Sequence, residues 1–284
     1  MKWLKKVMRQ VLMNFRFYQR RMNEKSQEPT YDYVRAMELY LPAAQRGDTE
    51  AMMNLTILYG SKNSGFTDYE ECLRLLNICA DREVSEAQYR LCCIYGDGEI
   101  VERDYETAVQ WGERAAEQNH PRAMRWLGWA YFYGLGVEQS YEKSAAQLRA
   151  AAELGERSAM SALGWMYLSA QGVDKDDDEA LKLFDAAARL GYNDGYLGIG
   201  VTYLFRGHDD AKFYGQAVDM LHLAAEKDVV EAQLLLAAMY ASGKIVQRNY
   251  ELAARLRARA DELNDAQAVR WYEAMRQGGL VDRI

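Results

Sequence analysis

The apolar positions of this chain recur in blocks of 36 residues. The stretch from Ala123 to Tyr131, which reads Ala-Met-Arg-Trp-Leu-Gly-Trp-Ala-Tyr, is the clearest copy of the block. Its first alanine, Leu127 and its tyrosine are four residues apart, which places them on one face of a helix. The tyrosine recurs at Tyr59, Tyr95, Tyr167, Tyr203 and Tyr240. A fixed period in this range is the signature of an array of stacked repeats.

The pattern predicts an all-α chain built from six helix pairs. The first helices of the pairs are expected near 48–60, 84–96, 121–133, 157–169, 193–205 and 229–241. The second helices are expected near 69–82, 105–118, 141–154, 178–190, 214–227 and 250–263. An unpaired helix over 32–46 precedes the pairs, and a capping helix over about 265–277 closes the array.

Glycines are expected in the loop inside each pair, because glycine adopts the positive φ that ends a helix and reverses the chain. These glycines are Gly96, Gly98, Gly134, Gly136, Gly172, Gly207 and Gly243. The fifth pair is one residue longer than the others, and the extra residue is placed in the loop between Gly207 and Lys212, where an insertion costs least.

The first residues of the chain form a separate element. Apolar side chains recur at spacings of three and four over 3–25, which predicts an amphipathic helix. Residues 1–28 carry eight Lys or Arg and two Glu, a net charge of +6. Because the whole chain has a net charge of −7, the remaining residues carry −13. Four roles are open for this helix: it caps the array, docks on a membrane surface, binds a partner or serves as a targeting segment. We therefore divide the chain into residues 1–30 and a repeat array over 31–284, with units of about 48–83, 84–119, 120–155, 156–191, 192–228 and 229–264.

Composition narrows the classes of function. The chain is 49% hydrophobic and 27% charged, as in ordinary folded proteins. The acidic body does not suit a nucleic-acid backbone. The sequence contains no apolar run of 18 residues, so we predict no membrane-spanning helix. Polar residues near the N-terminus also interrupt the continuous apolar run that a signal peptide requires. We expect a cytoplasmic protein that binds no nucleic acid.

The usual signatures of catalysis and metal binding do not occur in the sequence. The three histidines, His120, His208 and His222, fall in different units, and none forms a two-ligand spacing on one helix face. The chain has no serine nucleophile elbow and no phosphate-binding glycine loop. We expect no catalytic residue, no metal and no cofactor.

The recurring motif resembles the Sel1-like repeat, a variant of the tetratricopeptide repeat. The resemblance rests on Ala-x-x-x-Leu-Gly-x-x-Tyr, a Gly-x-Gly loop, an Asp-Tyr pair such as Asp104-Tyr105 and an Ala-Ala pair, and it covers roughly residues 36–277. Residues 87–119 and 123–155 match most clearly. The first unit departs, with Thr56 in place of the glycine, and the fifth unit, with Gly195 in place of the alanine, is irregular.

The resemblance implies a right-handed α-solenoid of antiparallel helix pairs whose first helices line a concave groove that holds a partner protein. Members of the family are mostly adaptors in signalling, protein quality control and bacterial host interaction, and some are found beside secreted bacterial toxins. We therefore expect a non-catalytic scaffold. The alternative is a dedicated immunity or chaperone-like protein that neutralises a bacterial toxin or effector.

A Cys-rich secreted branch of the family carries disulfides between its helices and includes β-lactam-binding enzymes, which gives a remote third alternative. Here the cysteines, Cys72, Cys79, Cys92 and Cys93, all fall in one unit. They occupy positions that other units fill with Ala, Gly or an apolar residue, which favours buried thiols over a disulfide or a metal site.

By analogy with the tetratricopeptide groove, nine residues are expected to bind the partner. They are Tyr89, Arg122, Arg125, Trp129, Phe132, Tyr133, Trp165, Leu168 and Phe205. Trp, Tyr and Arg dominate binding hot spots, which supports this prediction. The alternative is that Trp129 and Trp165, one repeat apart, pack as core between adjacent units.

Overall fold

The computed structural model describes residues 33–277 except 63 and 264, so the helix predicted over 3–25 lies outside the described residues. Within the described part, all regular secondary structure is α-helical, and short loops connect the helices. Its helices are α1 (Tyr33–Gln45), α2 (Thr49–Gly60), α3 (Tyr69–Asp81), α4 (Ser85–Asp97), α5 (Tyr105–Glu117), α6 (Pro121–Tyr133), α7 (Tyr141–Glu153), α8 (Arg157–Ser169), α9 (Asp177–Arg189), α10 (Asp194–Asp209), α11 (Phe213–Glu226), α12 (Val230–Ser242), α13 (Tyr250–Leu263) and α14 (Ala266–Gln277).

These helices fall into two compact units that divide between Glu156 and Arg157. The N-terminal unit contains α1–α7 and the C-terminal unit contains α8–α14. Within each unit the two helices of a pair pack against each other, and so do consecutive pairs. The predicted all-α array of helix pairs is confirmed.

In five of the six pairs, the backbone of the ladder tyrosine closes the loop inside the pair. In the pair α4–α5, the carbonyl of Tyr95 accepts a hydrogen bond of 2.9 Å from the backbone N–H of Asp104. The Asp104 side chain then accepts from the N–H of Thr107 and so caps α5. The same backbone bond recurs from Asp68 to Tyr59, from Ser140 to Tyr131, from Asp176 to Tyr167 and from Asn249 to Tyr240. The repeated sequence therefore encodes a repeated turn.

The turn that leaves each pair carries a residue with positive φ. Glycine fills this position at Gly47, Gly155 and Gly191. Glu83 and Asp228 hold the same conformation at φ values of 59° and 60°. Each of these acidic residues pairs with an arginine 31 residues later, Glu83 with Arg114 at 2.7 Å and Asp228 with Arg259 at 3.0 Å. Where the turn residue is acidic, an ion pair thus ties the turn to the following pair, whereas Asn119 holds the same conformation, at a φ of 58°, without a charge.

Small residues allow the helices to pack closely, both within a pair and between consecutive pairs. A Cβ added at Gly128 would lie 2.7 Å from Cγ of Leu148, and one added at Gly198 would lie 2.4 Å from the ring of Phe184. Both large side chains are fully buried. Burying one such side chain contributes about 1.5–3 kcal/mol, so glycine at the facing position increases stability by permitting the contact.

The fifth pair differs from its prediction. Gly207 was expected in a loop, but α10 continues through it to Asp209 and only three residues connect it to α11. A Cβ on Gly207 would lie 2.5 Å from the ring of Tyr214. The glycine therefore serves close packing between α10 and the start of α11. The prediction was wrong because the sequence pattern does not distinguish a glycine needed for space from one needed for positive φ.

None of the helices that the structure describes is both long and apolar enough to cross a membrane.

Candidate functional site

A connected set of polar and aromatic contacts in the N-terminal unit lies where α4 and α6 meet. We define the α4–α6 face by Glu86, Tyr89, Arg122, Trp129 and Tyr133. Glu86 and Arg122 are each the second residue of their helix, one repeat apart, so the repeat places them at equivalent positions on neighbouring first helices. Their side chains form an ion pair of 2.8 Å.

The carboxylate of Glu86 binds three nitrogen-bearing side chains. Its Oε1 accepts from Nε of Arg90 at 2.9 Å, and its Oε2 lies 2.8 Å from Nη2 of Arg122 and 3.1 Å from Nε2 of His120. The Nδ1 of His120 accepts the backbone N–H of Ala123 and so caps α6. Because Nδ1 accepts, Nε2 must carry the hydrogen and donate it to Glu86.

These contacts keep Glu86 ionised. Burial alone would raise its pKa, but the hydrogen bond from His120 and the charges of Arg122 and Arg90 outweigh burial and hold the pKa at about 2. At neutral pH the two guanidinium groups therefore face one carboxylate. The cluster carries a surplus of one positive charge, although the whole chain carries −7.

The side chain of Arg122 is held in place but exposed. It is 52% exposed, and its guanidinium carbon lies 5.0 Å from the ring centroid of Tyr89. The Tyr89 ring in turn stacks on the imidazole of His120, with centroids 4.8 Å apart and an interplanar angle of 24°. Tyr89 itself is buried, which raises the pKa of its hydroxyl well above the ordinary value. The guanidinium thus rests on a fixed aromatic surface.

The neighbouring arginine on α6 has a different role. Arg125 is only 2% exposed, and its Nε lies 3.5 Å from Oε1 of Glu156. A buried guanidinium needs such a counter-charge, because removing one member of a buried ion pair leaves the other uncompensated. We therefore assign Arg125 to the core of the N-terminal unit and not to its exposed surface.

An aromatic cluster continues the face toward the end of α6. The ring of Trp129 stacks on that of Tyr133 at 6.1 Å and contacts Phe132 edge-on at 6.0 Å. Phe132 also packs against Tyr141 of α7 at 5.0 Å. Trp129 and Phe132 are buried, whereas Tyr133 is partly exposed. Tyr133 therefore presents the accessible edge of the cluster.

Comparisons with known proteins agree with this architecture. The Sel1 repeat family model matches residues 21–48, 85–120, 121–156, 157–192, 230–260 and 261–279, which is more than half of the chain. The chain belongs to the Sel1 repeat family. The first match of the Sel1 repeat model begins at residue 21, earlier than the resemblance read from the sequence. The unmatched stretches 49–84 and 193–229 contain the first and fifth units, which the sequence analysis described as departures.

Two solved structures resemble this Sel1 repeat protein over most of its length. A protective antigen of uropathogenic Escherichia coli strains, described as having an SLR fold, is 27% identical with a TM-score of 0.70; the match covers 95% of this chain and 61% of that one. The chain thus spans about three fifths of that protein. A Sel1 repeat protein from Oxalobacter formigenes is 23% identical with a TM-score of 0.67, and the match covers 82% of this chain and 100% of that one.

A more distant similarity involves an immunity protein from Pseudomonas aeruginosa. It is 16% identical with a TM-score of 0.51, and the match covers 77% of this chain and 82% of that one. At this identity the similarity shows the Sel1 repeat fold alone. No functionally curated protein matches the sequence.

The structure places the nine predicted groove residues in two classes. Six of them are buried, with at most 9% of the residue's surface exposed, and the other three are partly or largely exposed. The buried residues are Tyr89, Arg125, Trp129, Phe132, Trp165 and Leu168. The exposed or partly exposed residues are Arg122, Tyr133 and Phe205. That all nine bind a partner stays a prediction, and Arg122, Tyr133 and Phe205 are the members with accessible surface.

The predicted residues also divide between the two units. Tyr89, Arg122 and the aromatic residues of α6 come together in the N-terminal unit. Trp165, Leu168 and Phe205 belong to the C-terminal unit, where Trp165 packs edge-on against Phe184 of α9 at 5.0 Å. Both tryptophans are buried, and the alternative that they pack as core between adjacent units stays a prediction.

Sequence reasoning missed Glu86, Arg90 and His120. It treated His120 only as a metal-ligand candidate. A usable signal existed in the opposite charges of Glu86 and Arg122 at equivalent repeat positions, because equivalent residues on stacked first helices are neighbours in space.

The four cysteines are free thiols, and three of them are fully buried. Burial raises the pKa of Cys72 and of Cys93 to about 11. Their reactive thiolate form is therefore scarce at neutral pH. Over the described ranges, 33–62, 64–263 and 265–277, no group of three or more His, Cys, Asp or Glu side chains is arranged to hold a metal ion.

Proposed function

We propose that this Sel1 repeat protein is a non-catalytic scaffold that binds a polypeptide partner on the α4–α6 face. One observation carries the proposal: the exposed guanidinium of Arg122 is fixed in advance by the carboxylate of Glu86 and by the ring of Tyr89. A side chain that is already ordered loses little conformational entropy on binding.

The composition of the face supports a polypeptide as the partner. Arginine and tyrosine are the residues most enriched at binding hot spots, and both are accessible here as Arg122 and Tyr133. They lie 11 residues apart on α6, almost on the same helix face, and about 16 Å apart along its axis. An extended chain of about five residues covers that distance. The face therefore suits a short extended segment.

The surrounding helices provide a rigid support for this face. The backbone of α6 is capped at its start by His120 and ends at Gly134 in the left-handed conformation, with φ at 69°. The cysteines of α3 and α4 do not point to a competing function. The pKa values of the Cys72 and Cys93 thiols are raised, and none of the four cysteines belongs to a metal-binding group among the described residues.

The test is affinity purification of the full chain from its native cells, followed by mass spectrometry of the retained proteins. We expect Arg122→Ala with Tyr133→Ala to lose the specific partner while the protein keeps its helical content. Arg125 and Trp129 are unsuitable for this test because they are buried, so their truncation would also destabilise the fold. The matched control is Arg74→Ala, since Arg74 is an exposed arginine of the same unit that pairs with Glu71. Retention of the same partner by both variants would contradict the proposal.

A narrower form of this function is a dedicated immunity or chaperone-like protein. The Pseudomonas aeruginosa protein of the same fold is an immunity protein, and the acidic body of this chain is able to meet a basic toxin surface. The same purification distinguishes the two forms. One partner retained in stoichiometric amount supports the dedicated role, and several partners support an adaptor.

A further inference from the structure

We propose that the α4–α6 face recognises a side-chain carboxylate of an acidic polypeptide segment, and that Arg122 is the residue that binds it. This inference rests on the proposed function and gives the chemical class of the partner. It starts from a departure in the repeat. The position that Arg122 occupies carries Glu50, Glu86, Ser158, Asp194 and Glu231 in the other paired units.

An arginine at this position opposes the electrostatics of its own helix. The first turn of a helix carries partial positive charge and favours acidic residues, and four of the five other paired units have one at this position. Arg122 is the second residue of α6, and α6 has no acidic residue in its first turn. Within α6 itself nothing compensates this exchange, and the compensation comes from Glu86 on the neighbouring helix α4. Departures from a local rule are expected at functional sites.

Glu86 compensates the charge of Arg122 only in part, because it also binds Arg90 and His120. The hydrogen bond from Arg122 uses Nη2. Its Nε and Nη1 make no hydrogen bond to any other residue within 33–277 that the structure describes. Arg90 is more fully engaged, because its Nη1 also donates to Oγ1 of Thr56 at 2.9 Å. Arg122 therefore has donors left for a planar acceptor.

The surplus charge favours a carboxylate over a phosphate. Two arginines against one ionised glutamate leave one positive charge, which a single carboxylate neutralises. A phosphate monoester carries about −2 at pH 7, so it would exceed the surplus and be repelled by the nearby Glu86. A nucleic-acid backbone is disfavoured because the chain as a whole is acidic, with a net charge of −7. The exposed edge of Tyr133, about five residues away along an extended chain, suits an apolar or aromatic residue of the same segment.

The experiment selects random twelve-residue peptides displayed on phage against the immobilised full chain. We expect the wild type to enrich peptides that carry Asp or Glu about five residues from an apolar or aromatic residue. Fluorescence anisotropy with the selected peptides should show about tenfold weaker binding to Arg122→Gln, as expected for loss of a charge-assisted hydrogen-bonded pair. The matched control Arg74→Gln, whose side chain is 58% exposed and also pairs with a glutamate, should bind as the wild type does.

The outcomes separate this inference from the proposed function. Peptides that depend on Tyr133 but carry no acidic residue would overturn the carboxylate assignment and leave the binding face intact. Tighter binding of a phosphoserine peptide than of its glutamate counterpart would overturn the assignment as well. If the wild type enriches no peptide, or only peptides insensitive to both Arg122→Gln and Tyr133→Ala, both proposals fail. Circular dichroism melting of each variant, expected within a few degrees of the wild type, shows that the fold is retained.

Discussion

Glu86 and Arg122 occupy the same position in consecutive repeats and form an ion pair of 2.8 Å. Stacking of identical repeats would place like charges beside each other at this position. In the third unit the sign of the charge is reversed relative to Glu50 and Glu86, so Arg122 links α6 to α4 and its exposed guanidinium lies over Tyr89. A stabilising contact between repeats and a candidate binding group are thus the same pair of residues.

The stability of the N-terminal unit should depend on pH through Glu86. Its pKa is about 2 in the folded protein against an ordinary value of 4.5. A lowered pKa means that the carboxylate stabilises the fold above pH 4.5, and that this contribution is lost as the pH falls from 4.5 to 2. We expect Glu86→Gln to lower the free energy of unfolding at pH 7 by about 1–2 kcal/mol. The measurement is urea unfolding at a series of pH values.

The sign of this dependence can be checked with the same variant. The difference between wild type and Glu86→Gln should shrink as the pH is lowered through that range and vanish near pH 2. A difference that stays constant from pH 7 to 3 would mean that the carboxylate charge contributes nothing.

Asp194 should show the opposite dependence in the C-terminal unit. Burial raises the pKa of Asp194 to about 6, and the charge of Asp265 acts in the same direction. The neighbouring hydroxyl of Tyr192 acts in the opposite direction. A raised pKa means that the folded state is favoured below the ordinary value of 3.8 and that this advantage is lost as the pH rises through 6. Asp194→Asn should therefore stabilise the protein by about 1 kcal/mol at pH 7.5 and have little effect at pH 4. Equal effects at both pH values in thermal melts would exclude this account.

The close packing of glycines predicts a contrast between two substitutions in the C-terminal unit. Gly198→Ala would place a Cβ 2.4 Å from the ring of Phe184 and should destabilise the protein by about 1–3 kcal/mol. The matched control is Gly215→Ala in α11, where an added Cβ meets nothing within 4 Å. Alanine there should stabilise the helix by about 0.5–1 kcal/mol. Chemical denaturation of both variants measures the contrast, and effects of the same sign would argue against this packing.

The cysteines should behave as protected thiols. Cys72 and Cys93 have pKa values of about 11, and the pKa of the fully buried Cys92 is also raised. We expect a thiol reagent such as Ellman's to react slowly with the native protein at pH 7.5 and to titrate four thiols after unfolding without reductant. Fast modification of the native protein would show that burial does not protect these thiols. Fewer than four thiols after unfolding would show that the cysteines are not all free.

The repeated tyrosines made much of the fold predictable. In every pair except the fifth, the ladder tyrosine lies near the end of the first helix and the capping residue follows nine positions later, as in Tyr95 and Asp104. A period of 36 residues therefore fixes the helix ends to within a residue or two in the regular units. The fifth pair could not be predicted as well, because the packing of Gly207 against Tyr214 extends α10.

The site was harder to predict than the fold. A repeat period identifies equivalent residues, but the size of the neighbouring side chains decides which of them stay exposed. Trp129 is equivalent to Cys93, and its larger ring is covered by Tyr133 within its own helix. Phe132 is buried because Tyr141 of α7 packs on it. Such contacts depend on side-chain orientation between helices, which the one-dimensional pattern does not contain.

The central claim is that a polypeptide contacts the exposed end of the α4–α6 face. The most direct measurement is photo-crosslinking in the native cells, with benzoylphenylalanine in place of Tyr133 and, in a control chain, in place of Tyr250, which is 66% exposed in the C-terminal unit. We predict one or a few specific protein adducts from position 133, weakened when Arg122→Gln is added, and none of these from position 250. Identical adducts from both positions, or no specific adduct from position 133, would contradict the account.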